Sequence, residues 1–298
     1  MLATPYVSAA AFRAHPTYLD TDGLIPGNPD PDAQTAELTN LLLQASTWAD
    51  DVCDLPLGAH LYTQNTRVRA DRAGMLRIHA DHKPVRTVAS FSYGASPTSL
   101  TAVASPQVWI EDDSNLVLTF GSASTAWSGS LQVGFGASPG AEVFARVGIV
   151  AGYVATQLAA SVLAGATSIT VADPTGIEPG GSYRIWEPGL EETVTVSTLW
   201  QPPTWPASTI PAATTVLLNG PLTHDHDAGH DFSGMTADLR LAVIKYAIAL
   251  QLRPGTISQD EFPDASTTSS TRGKESRPTG LGLIAEARKI LRSYQRVR

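Results

Sequence analysis

The sequence predicts an α+β fold in which a helical core carries β-hairpins and an inserted antiparallel β module. Three segments with apolar residues at helical spacing predict the core helices: residues 33–53, 236–253 and 281–297. Short runs of β-branched and aromatic residues between positions 61 and 135 predict the hairpins. Four further strand candidates, separated by turn residues, predict the inserted module.

These elements divide the chain into four parts. We expect an N-terminal arm at residues 1–32, a core at 33–155 and 233–255, an inserted β module at 156–232, and a C-terminal arm and helix at 256–298. The first part is rich in Pro, Asp and Gly, so we expect it to lie outside the packed core.

The helices are predicted from apolar stripes and from their end signals. Pro56 ends the first helix, Thr236 is a candidate N-cap of the second, and Pro254 follows its end. The apolar positions of the three helices are, in chain order, Leu38, Leu41, Ala45, Trp48 and Val52; Leu239, Val243, Tyr246 and Leu250; and Ile284, Ala287, Leu291 and Tyr294.

Strands are predicted by alternation between turn residues. The candidates are the runs 62–68, 76–78, 85–91, 108–110, 116–120, 131–135, 167–171, 183–186, 193–199 and 215–218. Residues 143–160 suit a helix by length, but Gly148, Gly152, Tyr153 and Thr156 favour a long bent strand, and the pattern leaves both open.

Composition narrows the functional classes. The chain has 298 residues, 43% of them hydrophobic, enough for one large or two modest domains. Cys53 is the single cysteine, which excludes an intramolecular disulfide and favours a reducing compartment. The first residues do not resemble a signal peptide, and no apolar run is long enough for a transmembrane helix, so we expect no membrane partner.

Charge is distributed unevenly along the chain. Residues 1–56 hold eight acids and one base, whereas residues 272–298 hold eight bases and two acids. The net charge of −8 argues against a general nucleic-acid binder. We consider charge-complementary docking, proximity of the basic end to DNA, and a solvated helix face followed by a basic tail.

Two motifs raise the question of catalysis or metal binding. Residues 136–140 match G-x-S-x-G, but Pro139 follows Ser138 and has no backbone N–H for an oxyanion hole, so we expect a loop. The run HDHDAGHD, with His224, His226 and His230, has zinc or calcium ligand types. It lacks the EF-hand spacing and a clear fourth ligand, so we expect a polar turn, with a metal site as the alternative.

Other groups of residues show no catalytic pattern. His60, His79 and His82 lie on separate β segments without a pairing pattern. No phosphate-binding loop, dinucleotide motif or nucleic-acid recognition motif is present. We therefore predict a protein that is not an enzyme, with no catalytic residues, no metal and no cofactor.

Several segments together resemble the head-to-tail connector (adaptor) family of tailed bacteriophages. The matching segments are LLLQASTWADDVCDLPL, LRIHADHKPVRTVASFSYG, ADLRLAVIKYAIALQLRPG and IAEARKILRSYQRVR. The resemblance covers residues 33–103 and 234–298. Residues 161–196 are similar to β modules inserted in structural proteins of actinobacterial phages, which makes the chain larger than the family's mostly helical members.

The resemblance implies a helical connector core and a structural subunit of the virion neck, made in the host bacterial cytoplasm. It implies a homo-oligomeric ring of about twelve subunits that docks on the portal protein. A tail-completion or tail-terminator protein would bind the other side during viral tail assembly. DNA would pass through the lumen during ejection without sequence readout.

Two groups of charged residues are our candidate docking sites. The first group comprises cations and a tyrosine for portal docking or subunit contacts: Arg288, Lys289, Arg292, Tyr294, Arg296 and Arg298. The second is a complementary acidic face: Glu37, Asp50, Asp51 and Asp54.

The main alternative is a β-rich binding module of another virion tail or baseplate component. It predicts a monomer or trimer with an exposed aromatic groove, for which Trp186, Trp200 and Trp205 are candidates. Packing of these tryptophans in the β module is the simpler interpretation. An enzyme is the second alternative, but the sequence offers no catalytic set to support it.

Overall fold

A computed structural model describes residues 4–17, 19–69, 75–104, 106–119, 142–203, 212–252 and 281–295. The helices in this part of the chain are α1 Ala9–Ala14, α2 Pro31–Cys53, α3 Ala237–Leu252 and α4 Leu281–Leu291, and a 3₁₀ turn at Arg292–Tyr294 continues α4. The three predicted helices are confirmed as α2, α3 and α4. The predicted polar arm at 256–280 and the predicted strand at 131–135 lie outside the described residues.

The strands fall into four antiparallel sheets. They are β1 His60–Arg69, β2 Leu76–His79, β3 Val85–Ser96, β4 Ser99–Ala102, β5 Gln107–Glu111, β6 Asn115–Thr119, β7 Glu142–Ala151, β8 Ala155–Gln157, β9 Ser168–Val171, β10 Ser182–Trp186, β11 Glu192–Thr195, β12 Thr214–Leu217 and β13 Asp231–Ser233. The ambiguous segment 143–160 is therefore β7 and β8. Gly152, with φ of 107°, lies between the two strands, in a conformation that most side chains disfavour.

A four-stranded sheet and a three-stranded sheet share one apolar core. The first has the order β1-β7-β3-β4 and the second β2-β6-β5. Phe91, Val143 and Val147 of the first sheet and Leu76 and Leu116 of the second belong to one buried cluster. Because side chains alternate along a strand, the other face of the four-stranded sheet carries polar residues.

The remaining strands form a small closed barrel. One sheet has the order β11-β10-β13-β8 and the other pairs β12 with β9. A bridge between Leu158 and Val171 joins β8 to β9, and a bridge between Val196 and Leu218 joins β11 to β12. The six strands therefore close on themselves around a separate apolar core that contains Phe232. Closure leaves none of these six described strands with a free edge.

The helices form a layer with its own core, and the N-terminal segment is part of that core. Tyr6, Val7 and Phe12 are buried with residues of α2, α3 and α4. The Tyr6 hydroxyl donates to Asp50 Oδ1 at 2.7 Å and accepts from the backbone N–H of Gly58 at 2.8 Å. The expectation that the start of the chain lies outside the packed core is thus wrong for these residues.

The predicted fold class, a helical connector core with β-hairpins and an inserted β module, is wrong. The described residues contain thirteen strands in four antiparallel sheets, and helices make up 26%. The physical reason is that strands between residues 60 and 151 pair with each other, in part between segments far apart in sequence such as β1 and β7. These strands enclose a separate apolar core instead of packing on the surface of a helical core. The four domain boundaries stay predictions.

Candidate docking surface on the C-terminal helix

The C-terminal helix α4 is amphipathic, and one side of it is fixed in the helical layer. Ile284, Ala287 and Leu291 are buried against the other helices, as their spacing predicts. Lys245 of α3 forms an ion pair with Glu286 at the surface. These contacts set the orientation of the opposite side of α4.

Three predicted docking cations lie on that opposite side. Arg288, Lys289 and Arg292 are exposed. Lys289 lies near Glu286, whose pKa it helps to lower, whereas no carboxylate among the described residues forms an ion pair with Arg288 or Arg292. The helix therefore presents three charges in a fixed arrangement to solvent. Arg296 and Arg298, also predicted to dock, lie outside the described residues.

Tyr294 has a structural contact that the sequence did not indicate. Its hydroxyl donates to Asp238 Oδ2 at 2.8 Å and lies 2.9 Å from Thr236 Oγ1, at the start of α3. Burial acts to raise the pKa of Asp238, but hydrogen bonds from Thr236 and Tyr294 outweigh it and hold that pKa below its ordinary value. Tyr294 thus links the 3₁₀ turn that follows α4 to the start of α3 by hydrogen bonds.

The predicted acidic face of α2 consists of residues in different environments. Asp51 and Asp54 are exposed, whereas Glu37 is half-buried and accepts a hydrogen bond from Asn40 Nδ2 at 3.3 Å. Asp50 is turned inward, where Oδ1 accepts from the Tyr6 hydroxyl and from the backbone N–H of Leu57. Burial raises the pKa of Asp50 to about 6.

The acidic end of α2 lies beside the end of α4. Gln295 Nε2 donates to the carbonyl of Val52 at 3.0 Å, and Cys53 Sγ lies 3.8 Å from the carbonyl of Leu291. The end of α2 that carries Asp51 and Asp54 therefore lies next to the end of α4 in the same chain. Their roles in docking stay predictions.

The HDHDAGHD run closes one end of the barrel. His226 is 1% exposed, its Nδ1 lies 2.8 Å from Glu187 Oε2, and its Nε2 lies 2.7 Å from Glu192 Oε1. Both ring nitrogens therefore lie within hydrogen-bond distance of a carboxylate oxygen. Burial acts to raise the pKa of Glu192, but hydrogen bonds from Thr223, His226 and the His224 backbone hold it below its ordinary value.

Other residues of this run also have partners within the chain. Asp225 Oδ1 accepts from the backbone N–H of Ala164 at 2.6 Å, and His230 Nε2 lies 3.4 Å from Glu187 Oε1. No group of three or more potential ligands among the described residues is arranged to hold a metal ion. The polar turn and its metal-binding alternative both stay predictions.

His60 and His82, which showed no pairing pattern in the sequence, form a hydrogen-bonded pair. His60 Nδ1 lies 2.8 Å from the carbonyl of Gly58, so it donates there, and Nε2 then accepts from His82 Nδ1 at 2.8 Å. The ring of His82 stacks on Tyr62. Burial lowers the pKa of His60. The His60–His82 pair packs β1 against the turn before β3.

The tryptophans proposed for an aromatic groove have different surroundings. Trp200 is 5% exposed in the barrel core, and its Nε1–H donates to the carbonyl of Thr215 at 2.9 Å. Trp186 lies between the guanidinium groups of Arg184 and Arg240, each 4.6 Å from its ring. It lines an open cleft of about 330 Å³ between α1, α3 and the β10–β11 turn. Trp205 and the G-x-S-x-G motif lie outside the described residues.

Comparisons with known proteins add no relatives. No protein-family model matches the chain, and no curated protein or solved structure is significantly similar to it. Across the described helices, none is long and apolar enough to cross a membrane.

Proposed function

We propose that this chain is a structural head-to-tail adaptor subunit of a tailed-phage virion. It forms a ring that docks on the portal protein and joins it to the tail, and DNA passes through the lumen. The subunit works in the neck of the virion as a mechanical joint and catalyses no reaction. The helical core that the resemblance implied is not part of this proposal.

The observation that carries the proposal is the exposed basic side of α4. Arg288, Lys289 and Arg292 are displayed by a helix whose other side is buried. A fixed row of cations recognises an acidic protein surface with less loss of side-chain and backbone freedom than a mobile tail. The sequence segments that resemble connectors include α2, α3 and α4, so the resemblance and the basic surface concern the same layer.

Charge reversal on α4 tests portal docking. Arg288→Glu/Lys289→Glu/Arg292→Glu should weaken binding to the portal protein at least about 100-fold, because three attractive contacts become repulsive. Co-sedimentation of the purified variant with portal rings measures this. The three side chains are exposed, so the melting temperature should stay close to that of the wild type.

A charge-conserving control separates charge from other effects. Arg288→Lys/Arg292→Lys keeps all the positive charge and should bind the portal within about tenfold of the wild type. Unchanged co-sedimentation of the charge-reversed variant would contradict portal docking through α4.

A second candidate function is a β-rich binding module of a tail or baseplate component. The cleft beside Trp186 favours it, because aromatic and arginine side chains are frequent at binding hot spots. Leu163 and Leu199 on the barrel are 73% and 84% exposed, and they offer further apolar surface to a binding partner. This function predicts a monomer or trimer that is indifferent to the portal protein.

A further inference from the structure

The outer face of the four-stranded sheet carries a compact arginine patch. In the pairing of β1 with β7, Arg67 lies opposite Phe144 and Asn65 lies opposite Arg146. These four side chains therefore form two adjacent cross-strand pairs on one face, with Arg67 and Arg146 as diagonal neighbours. The apolar core lies on the other face, so the patch is directed to solvent.

The charges of this patch are held in place but not neutralised. The Arg67 guanidinium lies 4.6 Å from the centre of the Phe144 ring, and Arg146 Nε donates to Asn65 Oδ1 at 3.0 Å. Within the described ranges, neither arginine has a carboxylate partner. Nearby Arg69 differs, since it forms an ion pair with Glu142 at 2.8 Å. Arg67 and Arg146 thus keep free donors for an external acceptor.

The same chain exposes a complementary acidic loop before and at the start of α2. Asp20, Asp22, Asp30 and Asp32 are all exposed. The cation near them is Arg13, which approaches Asp22 at 4.0 Å. Asp30 caps α2 by accepting from the backbone N–H of Asp32, and Asp20 accepts from the backbone N–H of Asp22, so the loop is shaped by its own side chains.

The two surfaces belong to different layers of the chain. The acidic loop precedes α2, a helix about 34 Å long that packs on the other helices and leads towards β1. Arg67 lies near the far end of β1, whose buried side chain Val68 belongs to the core between the sheets. Because the arginine patch and the acidic loop lie on different parts of one chain, the patch of one copy can contact the loop of the next. Such head-to-tail contacts can close into a ring.

We propose that the arginine patch of one subunit binds the acidic loop of a second copy of this chain. This inference rests on the proposed adaptor function and names the contact that builds its ring. The contact is heterologous, so each subunit uses its patch on one neighbour and its loop on the other. A second copy fits better than nucleic acid, because its exposed loop supplies carboxylates that match the patch, whereas the net charge of −8 disfavours binding of a long polyanion.

Paired charge reversals test this contact. Arg67→Glu/Arg146→Glu reverses the patch, and Asp20→Lys/Asp22→Lys/Asp30→Lys/Asp32→Lys reverses the loop. Each variant alone should be monomeric where the wild type self-associates, at a salt concentration of about 0.05 M. An equimolar mixture of the two variants should associate again, because every patch then meets a loop of opposite charge. Sedimentation velocity measures all three samples, and restored assembly in the mixture shows that both variants are folded.

A matched control keeps this contact separate from portal docking. Arg77→Glu/Lys83→Glu makes the same change in net charge as the patch variant at exposed positions outside α4 and outside both proposed surfaces, and it should self-associate like the wild type. If the contact between subunits is not found, portal binding through α4 is still tested separately, by co-sedimentation with portal rings.

Three results would overturn the inference. They are a wild type that stays monomeric at low salt, self-association unaffected by either reversal, and a mixture of the reversed variants that does not assemble. If the patch variant loses binding to duplex DNA while self-association is unchanged, the patch binds nucleic acid and the inference is wrong. Wild-type assembly should also weaken at about 0.5 M salt, since exposed charge pairs are screened there.

Discussion

Asp50 and Asp51 are neighbours in sequence but differ in their surroundings. Asp51 is exposed, whereas Asp50 accepts hydrogen bonds from Tyr6 and from the Leu57 backbone. The sequence predicted that both residues belong to the acidic face, because residue type gives the charge of a side chain but not its orientation. The partner that turns Asp50 inward is Tyr6, 44 residues away, and helical spacing alone does not predict that contact.

The buried carboxyl of Asp50 makes stability depend on pH. Its pKa is raised from 3.8 in the unfolded chain to about 6 in the folded protein, mainly by burial. The folded state therefore binds the proton more tightly, and the stabilisation present below pH 3.8 is lost as pH rises through about 6. Asp50→Asn keeps the acceptor oxygen and removes the titration. Relative to this variant, the wild type should lose roughly 3 kcal/mol of unfolding free energy between pH 4 and pH 7.

Denaturant unfolding at several pH values measures this difference, and Asp51→Asn is the matched control. Asp51 is exposed, so its variant should follow the wild-type pH dependence. Parallel curves for the wild type and Asp50→Asn would show that the Asp50 carboxyl does not carry a raised pKa.

At the scale of the element, the barrel depends on a charged contact between its β10–β11 hairpin and the loop before β13. Glu187 and Glu192 come from the hairpin, and His226 comes from the loop. The carboxylate side chains are 12% and 11% exposed, so water screens their charges little. The His226 ring lies within hydrogen-bond distance of both carboxylates and so links the two sides of the hairpin to the loop.

Removal of the His226 ring should destabilise the protein strongly. His226→Ala leaves two mostly buried carboxylates without their shared partner, and we expect a loss of about 3 kcal/mol or more in unfolding free energy. His224→Ala, in the same loop, is the control, since the His224 contact to Glu192 is through its backbone N–H. Equal effects of the two substitutions in thermal or denaturant unfolding would refute the role given to the His226 ring.

Sequence patterns predicted most elements, missed α1, β4 and β13, and left one segment undecided. The helices α2, α3 and α4 were predictable because apolar side chains recur at helical spacing along one face. The segment that forms β7 was ambiguous because it is buried on both faces near its end, where Val147, Ile149, Val150 and Ala151 are all buried. A strand that is apolar on both faces lacks the alternating pattern, so its periodicity alone does not distinguish it from a buried helix.

At the scale of the whole molecule, the fold class depends on contacts that local patterns do not specify. β1 pairs with β7 across about 80 residues, and the barrel closes through the bridges Leu158–Val171 and Val196–Leu218. Most strands were predicted, except β4 and β13, but their partners were not, so the strands were wrongly assigned as hairpins on a helical core. The candidate site shows the same limit, since the charges of α4 were predictable and the arginine patch required the register of β1 with β7.

An adaptor must form a ring or join one on the portal, so the assembled state of the protein decides between the two candidate functions. The most direct measurement is the mass of the purified protein by light scattering, alone and mixed with the portal protein. We predict a ring-sized species of about twelve subunits, or a complex of that stoichiometry that appears when portal is added. A monomer whose mass does not change in the presence of portal would contradict the adaptor function and favour a β-rich binding module.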